Sequence, residues 1–464
     1  MAGYVVGALV SVISASLLFR HLGVKDTGQY VTALSLVAIV AAVSDLGLTA
    51  VGVRELSQRP SHERWSLARD LLGLRIVLTL LGSLAIVAIA WVAYSSTLAA
   101  GVALACVGLL LQATQDNFAL PLVVGLRLPY VAALDLSRQL LTTVLIVALV
   151  LADASLVPFL AVSIPVGVVI LLATAQLVRG TRSLKPAFSI DRWRRFISPM
   201  LPYSAAVAAS SVYFRVSILL VSLLASATEL GYFSASYRII EVLTAVPALL
   251  VGSALPIIAR ASHDDHDRLG YALNRVFEVS LVLGAWVAVS IAVGAPLAIA
   301  IVGGPKFEAA APVLAVQGVA LGAMFVSLVW SNGLLGLGLY RKILWIAVGG
   351  LLFTAALVAA LIQIDGAVGA AIGTAAGEII LGLAQCLAVV RSRPVLRPSL
   401  RIVPGVVLAA GLALTPLALT ALPVIARLAI STALFALVVA LTRAYPPELL
   451  ELLPGVRRLV PRAR

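Results

Sequence analysis

The chain has 464 residues, of which 62% are hydrophobic and only 11% charged, with a formal net charge of +13. Soluble globular domains carry about 25% charged residues, so the composition excludes a water-soluble globule and leaves the bilayer as the solvent that suits it. Lipid offers backbone N–H and C=O groups no partner, and the roughly ten-residue alternating segments of a transmembrane barrel are absent. The fold class is therefore all-α integral membrane.

Apolar runs of about 20 residues, long enough at about 1.5 Å per residue to cross a hydrocarbon core about 30 Å thick, recur from end to end. In chain order they cover residues 2–19, 30–53, 71–91, 98–118, 130–151, 156–178, 202–224, 233–257, 276–298, 311–330, 343–364, 368–390, 402–422 and 424–441, about 14 transmembrane helices. No basic segment precedes the first run and no small-residue cleavage site follows it, so it reads as a retained span.

Basic residues in the loops set the orientation. With the N-terminus in the cytoplasm, 25 of the 33 Lys and Arg fall in cytoplasmic segments, while the external ones hold only Arg20, Lys25 and Lys306. Arg75, Arg138, Arg215, Arg238 and Arg427 fall inside spans. The expected location is the cell membrane, multi-pass, with both termini cytoplasmic. The net charge then belongs to loops facing an anionic leaflet, which argues against nucleic-acid binding. The dominance of Arg over Lys and the abundant Ala suggest a high-GC bacterial genome.

Cys106 and Cys386 fall within spans and read as small packing residues. The cluster His263, Asp264, Asp265, His266, Asp267 reads as a solvated cytoplasmic turn, so no metal site is expected. Gly-rich phosphate loops, a nucleophile elbow and a paired-carboxylate site are absent, and nothing supports an enzyme. The longest connections, 179–201 and the tail from Thr442, are cytoplasmic, and no nucleotide-binding domain accompanies the helices. A secondary transporter or flippase is the default for helices alone.

An internal repeat is visible at an offset of 203 residues, where the run Gly28 to Ala33 aligns with the run Gly231 to Ser236. Six spans separate the two positions, so the copies share one orientation and the repeat is parallel. This predicts two six-helix lobes plus two C-terminal helices. Residues 1–178 form the N-lobe, 179–201 the linker, 202–390 the C-lobe, and 391–464 the last two spans with a basic cytoplasmic tail.

Several stretches resemble Wzx-type oligosaccharide-lipid flippases. The opening run from Phe19 through His21, Gly23, Asp26 and Gly28 to Tyr30 does so, as do Ser44, Asp45, Leu46, Gly47, Leu48 with Arg54 and Glu55. So do the run from Glu229 through Gly231 and Tyr232 to Arg238, with Pro256 and Arg260, the run from Gly304 through Lys306 and Pro312 to Leu314, and Gly366 to Ile372. The resemblance covers nearly the whole chain and implies the MATE-like multidrug/oligosaccharidyl-lipid/polysaccharide (MOP) exporter superfamily. It also implies two lobes in alternating access that carry a polyprenyl-pyrophosphate-linked oligosaccharide outward for surface polysaccharide biosynthesis. Lipid-linked glycan and membrane lipid are then the expected partners, with glycosyltransferases or a polymerase of the same pathway as further ones. No cofactor is expected beyond a coupling proton or sodium ion.

Charge at membrane depth is costly and usually faces protein or a water-filled cavity. Arg215 lies 13 residues into its span, about 20 Å along the helix, with no acid within four positions, and is the first choice for a cargo-binding cation. Arg75, Arg138 and Arg238 are the further substrate-binding candidates, since a guanidinium stays charged and grips phosphate oxygens in a fork. Asp135 and Arg138, Arg238 and Glu241, and Arg275 and Glu278 are spaced i,i+3 and could neutralise one another. For the last two pairs this is the simpler reading; for Arg138 both stay open. Asp45, Glu241 and Glu378 are coupling-ion or charge-pair candidates, and Asp45 could also serve helix packing or bridge to an arginine on a neighbouring helix. Pro158, Pro165, Pro202, Pro247, Pro256 and Pro312 are placed to kink or cap helices. Three alternatives stand beside the flippase: a lipid II flippase, a drug/cation antiporter of the same superfamily, and a non-transporting envelope-assembly scaffold.

Overall fold

A computed structural model describes residues 2–45, 48–58, 61–178, 186–252 and 266–445, and all regular structure among them is helical. The order is α1 (Ala2–Asp45), α2 (Leu48–Gln58), α3 (Ser61–Ala93), α4 (Ser96–Val124), α5 (Leu128–Leu151), α6 (Leu156–Ala161), α7 (Ser163–Leu177), α8 (Ile190–Leu224) and α9 (Ala227–Leu243). After it come α10 (His266–Val302), a 3₁₀ turn (Pro305–Ala310), α11 (Ala311–Gly336), α12 (Tyr340–Ser392), α13 (Val403–Ala413) and α14 (Val424–Leu441). Eleven of the described helical stretches are long and apolar enough to cross a membrane, and Val403–Ala418 is a shorter apolar one. The protein is a multi-pass membrane protein.

Two of these stretches are continuous only in name. Inside α1 Gly23 takes φ 73°, and inside α12 Asp365 and Gly366 leave helical geometry, with φ 49° at Gly366. Positive φ costs a residue with a Cβ but not glycine, so the chain can reverse there without a loop. The stretch α12 thus holds the runs at 343–364 and 368–390, and α1 holds the run at 2–19 with the part of 30–53 up to Asp45, the remainder of which lies in α2 from Leu48; the helices are compatible with fourteen crossings. The run at 402–422 is less regular than expected: α13 stops at Ala413 and gives way to a 3₁₀ turn, Thr415–Ala418. The run at 156–178 is likewise divided, at Val162, between α6 and α7.

The described chain forms two compact units, one of residues 1–235 with 301–307, the other of 236–300 with 308–464. The boundary at Ala235 lies beyond the 179–201 linker, so the first unit includes all of α8 and the start of α9. In the first unit α4 is central, packing on α1, α2, α3, α5, α6 and α7. A core of Ala33, Leu36, Val40, Ala90, Leu98, Val102 and Leu160 is buried among α1, α3, α4 and α6. Gly101 and Gly108 of α4 let α6 and α7 approach: a Cβ on either would stand 2.3 Å from Leu160 Cδ1 or 2.1 Å from Ser163 Oγ. Van der Waals contact through small residues is the usual means of holding helices together where lipid is as apolar as leucine.

The two repeat motifs meet within this unit. A Cβ on Gly231 would lie 2.2 Å from the Val24 carbonyl oxygen, and one on Gly28 would lie 2.8 Å from Leu230 Cγ. Equivalent positions of the repeat therefore pack on each other.

In the second unit α11 and α12 form the largest pairing. Gly284 and Gly322 lie face to face, and Phe277 packs on the fully buried Trp330 with ring centroids 5.5 Å apart. The last two helices cover α10, burying Val282, Val289 and Val293 against Ile402, Val406, Ala409 and Phe435. Asn274 of α10 fixes the approach to them, donating to the Arg397 carbonyl and accepting from the Ser399 N–H.

Candidate functional site

Five helices of the first unit bring polar side chains to one place. Asp45 ends α1, Thr49 is at the start of α2, Arg75 lies on α3, Asp116 and Gln115 on α4, and Arg138 on α5. Arg75 is the hub and is 8% exposed. Its Nη1 stands 3.0 Å from Asp45 Oδ1 and donates to Thr49 Oγ1 at 2.8 Å; its Nη2 donates to Asp116 Oδ2 at 3.3 Å. Thr49, one turn on from Asp45, donates in turn to Asp45 Oδ1 at 2.6 Å. A planar guanidinium with five donors suits such a bridge, where a lysine ammonium would serve as a point charge only.

The chain of contacts runs on through α4. Arg138 Nη2 donates to Gln115 Oε1, and Gln115 Nε2 donates to Thr174 Oγ1 of α7 at 3.2 Å. Asp116 lies within electrostatic range of Arg138 and Asp135 as well as of Arg75 and Asp45. Three carboxylates thus face two guanidiniums, a formal surplus of one negative charge. Buried ions are tolerated when paired and hydrogen-bonded, and both terminal nitrogens of Arg75 are engaged here. Arg75 Nε alone of that side chain is buried without an acceptor.

The sequence candidates divide accordingly. Arg75, Arg138 and Asp45 come together. Asp45 bridges to an arginine on a neighbouring helix, and Arg138 turns to Gln115 although Asp135 sits i−3 on its own helix. Asp116, Thr49, Gln115 and Thr174 escaped the sequence reading; Asp116 could have been found by the criterion that singled out Asp45, an acid deep within a span. In the second unit Arg238 pairs with Glu241 at 2.7 Å and Arg275 with Glu278 at 2.8 Å, both i,i+3. Glu378 accepts from Ser327 Oγ at 2.5 Å, joining α12 to α11. Arg215 is half-buried on α8 and has interaction partners of its own. Pro256, Arg260 and most of the His263 to Asp267 cluster lie outside the described residues. Among the described residues no group of three or more His, Cys, Asp or Glu could hold a metal ion, and Cys106 and Cys386 are both free thiols.

A second charged contact secures the segment entering α8. Buried Asp70 of α3 stands 3.1 Å from Arg192 Nη2, its carbonyl accepts from Trp193 Nε1 at 2.9 Å, and the neighbouring Arg69 carbonyl accepts from the Ala187 N–H at 3.0 Å.

The model of a family described as polysaccharide biosynthesis protein matches residues 1–262, more than half of the chain and the whole of the Arg75 network. The chain belongs to the polysaccharide biosynthesis protein family. This member of the family has a fold similar to that of the lipid II flippase MurJ in an inward closed conformation, with 12% identity and a TM-score of 0.76 over 95% of this chain and 97% of that one. It is also similar to an inward-facing multidrug resistance MATE transporter of the MOP superfamily, with 15% identity and a TM-score of 0.68 over 84% of this chain and 95% of that one. A MOP superfamily transporter from Pyrococcus furiosus matches with 15% identity and a TM-score of 0.57 over 86% and 95%. No curated protein matches the sequence. The polysaccharide biosynthesis protein thus has the MOP transporter fold over nearly its full length.

Proposed function

We propose that the protein is a flippase that moves a polyprenyl-pyrophosphate-linked oligosaccharide across the cytoplasmic membrane for surface polysaccharide biosynthesis. The observation that carries this reading is the conjunction of a polysaccharide biosynthesis match with a transporter fold spanning 95% of the chain. The arginine-rich loops would face the cytoplasm, with both termini there, and the arginine-poor turns would face outward. In this reading Arg215 is the cargo cation, placed to meet pyrophosphate oxygens with a guanidinium.

The Arg75 network takes a different part. Its two guanidiniums are already met by carboxylate and amide oxygens, and an incoming pyrophosphate would have to displace Asp45 and Asp116. A surplus carboxylate suits a proton or sodium ion better, so we assign the network to coupling and Asp116 to the ion. Lipid II is the second reading, favoured by the similarity in fold to a lipid II flippase.

The test is transfer in proteoliposomes holding purified protein, with fluorescent polyprenyl-pyrophosphate oligosaccharide or lipid II in the inner leaflet. Protein-dependent transfer of the oligosaccharide carrier is expected. Transfer of lipid II alone would replace the first reading by the second, and transfer of neither would reject both.

A further inference from the structure

The arginine-poor end of α1's first half is tied to a strap that follows α10. Ser16 Oγ and Arg20 Nη2 both donate to the Ile301 carbonyl oxygen, each at 2.8 Å. Ile301 lies in the last turn of α10, where carbonyls lack intrahelical partners and carry the negative end of the helix dipole. That turn has no basic residue of its own, so Arg20 supplies from another helix the cation that commonly caps a C-terminus. Beside it Phe19 and Phe307, both essentially fully buried, stack with centroids 6.3 Å apart. The Gly304 backbone also runs close to Arg20, with a built Cβ only 3.6 Å from Nε. Residues 301–307 accordingly belong to the first unit although the chain on either side of them belongs to the second.

A counterpart exists at the end of α8. The Tyr94 hydroxyl, just past α3, lies 2.8 Å from Ser222 Oγ. Ser222 gives its own proton to the Leu219 carbonyl at 2.7 Å, which makes Tyr94 the donor. In the parallel repeat the first span corresponds to the seventh and the third to the ninth. Both contacts therefore join the turn after a third-type span to the end of the first-type span of the other half. They differ in chemistry, one being a charged donor on a helix terminus and the other a pair of hydroxyls.

We propose that these two contacts form a paired latch closing the transport path at the arginine-poor face, and that Arg20 is its positioning residue, released from the Ile301 carbonyl whenever that face opens. The inference rests on the transport reading. Opening parts the side-chain hydrogen bonds of Ser16, Arg20 and Tyr94 and separates the Phe19–Phe307 stack.

The test uses full-length protein with Cys106 and Cys386 replaced by Ala. In proteoliposomes, linking Ser16→Cys to Ile301→Cys with a short reducible thiol cross-linker should stop cargo transfer, and reduction should restore it. Linked protein that transfers cargo at the unlinked rate overturns the latch. A second reading needs no cargo: labelling of Ser16→Cys by a membrane-impermeant maleimide should speed up about tenfold when Arg20→Ala removes a charged hydrogen bond, with Arg20→Lys in between. An unchanged labelling rate overturns the latch whatever the cargo is. If no glycan moves even in unlinked protein, the flippase reading falls while the labelling result still decides the latch.

Discussion

Arg75 and Asp116 face each other across α3 and α4 with 3.3 Å between guanidinium and carboxylate, and Asp45 meets the same guanidinium from α1 at 3.0 Å. One cation thus bridges three separate helices that also share a buried apolar core. Removing it should be costly. Arg75→Ala leaves two carboxylates facing each other in an apolar surround, a change of the kind that costs about 3–5 kcal/mol, nearer the lower figure because Asp116 keeps some access to solvent. The expected result is a clear drop in the thermal unfolding midpoint in detergent, with Arg75→Lys recovering part of it. An unshifted midpoint would mean that the bridge contributes nothing to holding the helices.

Substituting Asp116 separates coupling from stability. Asp116→Asn removes the surplus negative charge and mimics the protonated acid while leaving an oxygen for Arg75. The groups facing it are Arg75 on α3, Asp45 on α1, and Arg138 and Asp135 on α5, and none of these is altered by the change. Transfer driven by an imposed pH or sodium gradient should fall to the level seen without a gradient, while the unfolding midpoint stays within a few degrees of the parent. A variant that still responds fully to both gradients would remove Asp116 from the coupling role.

The long spans were legible because hydrophobic length is a local property of a sequence, whereas the reversals at Gly23 and Gly366 were not singled out, since a glycine between two apolar runs does not by itself announce a positive φ. The pairs Arg238 with Glu241 and Arg275 with Glu278 were legible too, since residues three apart on a helix are neighbours whatever else the chain does. The network was legible only in part. Arg75, Arg138 and Asp45 declare themselves as charges at membrane depth, but their partners are fixed by how α3, α4 and α5 pack, which no spacing encodes. The same limit explains Arg138: the i,i+3 acid was available, and tertiary packing offered Gln115 instead. Asp70 and Arg192, 122 positions apart in the numbering, lie beyond any periodicity argument.

Arg215 carries the cargo assignment and can be tested without reference to the network. Arg215→Ala should lower oligosaccharide transfer at least about tenfold at equal protein level, the loss of one charge-assisted contact to phosphate. Arg215→Lys should retain part of the activity, since the charge stays and the fork is lost. Normal transfer by the alanine variant would remove Arg215 from the cargo site.

Asp70 and Arg192 are unequally placed, and this predicts an order of effects. The Asp70 side chain is 4% exposed while that of Arg192 is 49% exposed. Losing Arg192 strands a buried carboxylate, whereas losing the Asp70 charge leaves an arginine that water can solvate. Arg192→Ala should therefore loosen the start of α8 more than Asp70→Asn does. Limited proteolysis between Ala187 and Trp193 would report it, with faster cleavage expected in Arg192→Ala than in Asp70→Asn; the reverse order would contradict the burial argument.

The meeting of the two repeat motifs gives the last test, and it turns on what each glycine faces. At Gly231 a methyl group would point at the Val24 backbone carbonyl, 2.2 Å from its oxygen and 2.7 Å from its carbon. Backbone cannot rotate aside, so Gly231→Ala must push α9 away from the turn that follows Gly23. At Gly28 the nearest obstacle is the Leu230 side chain, with Cγ at 2.8 Å and Cδ2 at 3.1 Å, which can shift by rotation about χ1, and the only backbone atom among its near neighbours, the Gly231 nitrogen, stands at 3.1 Å. Overpacking a close contact typically costs about 1–3 kcal/mol, and a helical Gly→Ala change returns roughly 0.5–1 kcal/mol through backbone entropy. Gly231→Ala should thus be destabilising overall, and clearly more so than Gly28→Ala. Unfolding midpoints of the two variants, measured in the same detergent, decide the matter: equal midpoints would mean that the repeat motifs do not press on each other backbone to backbone.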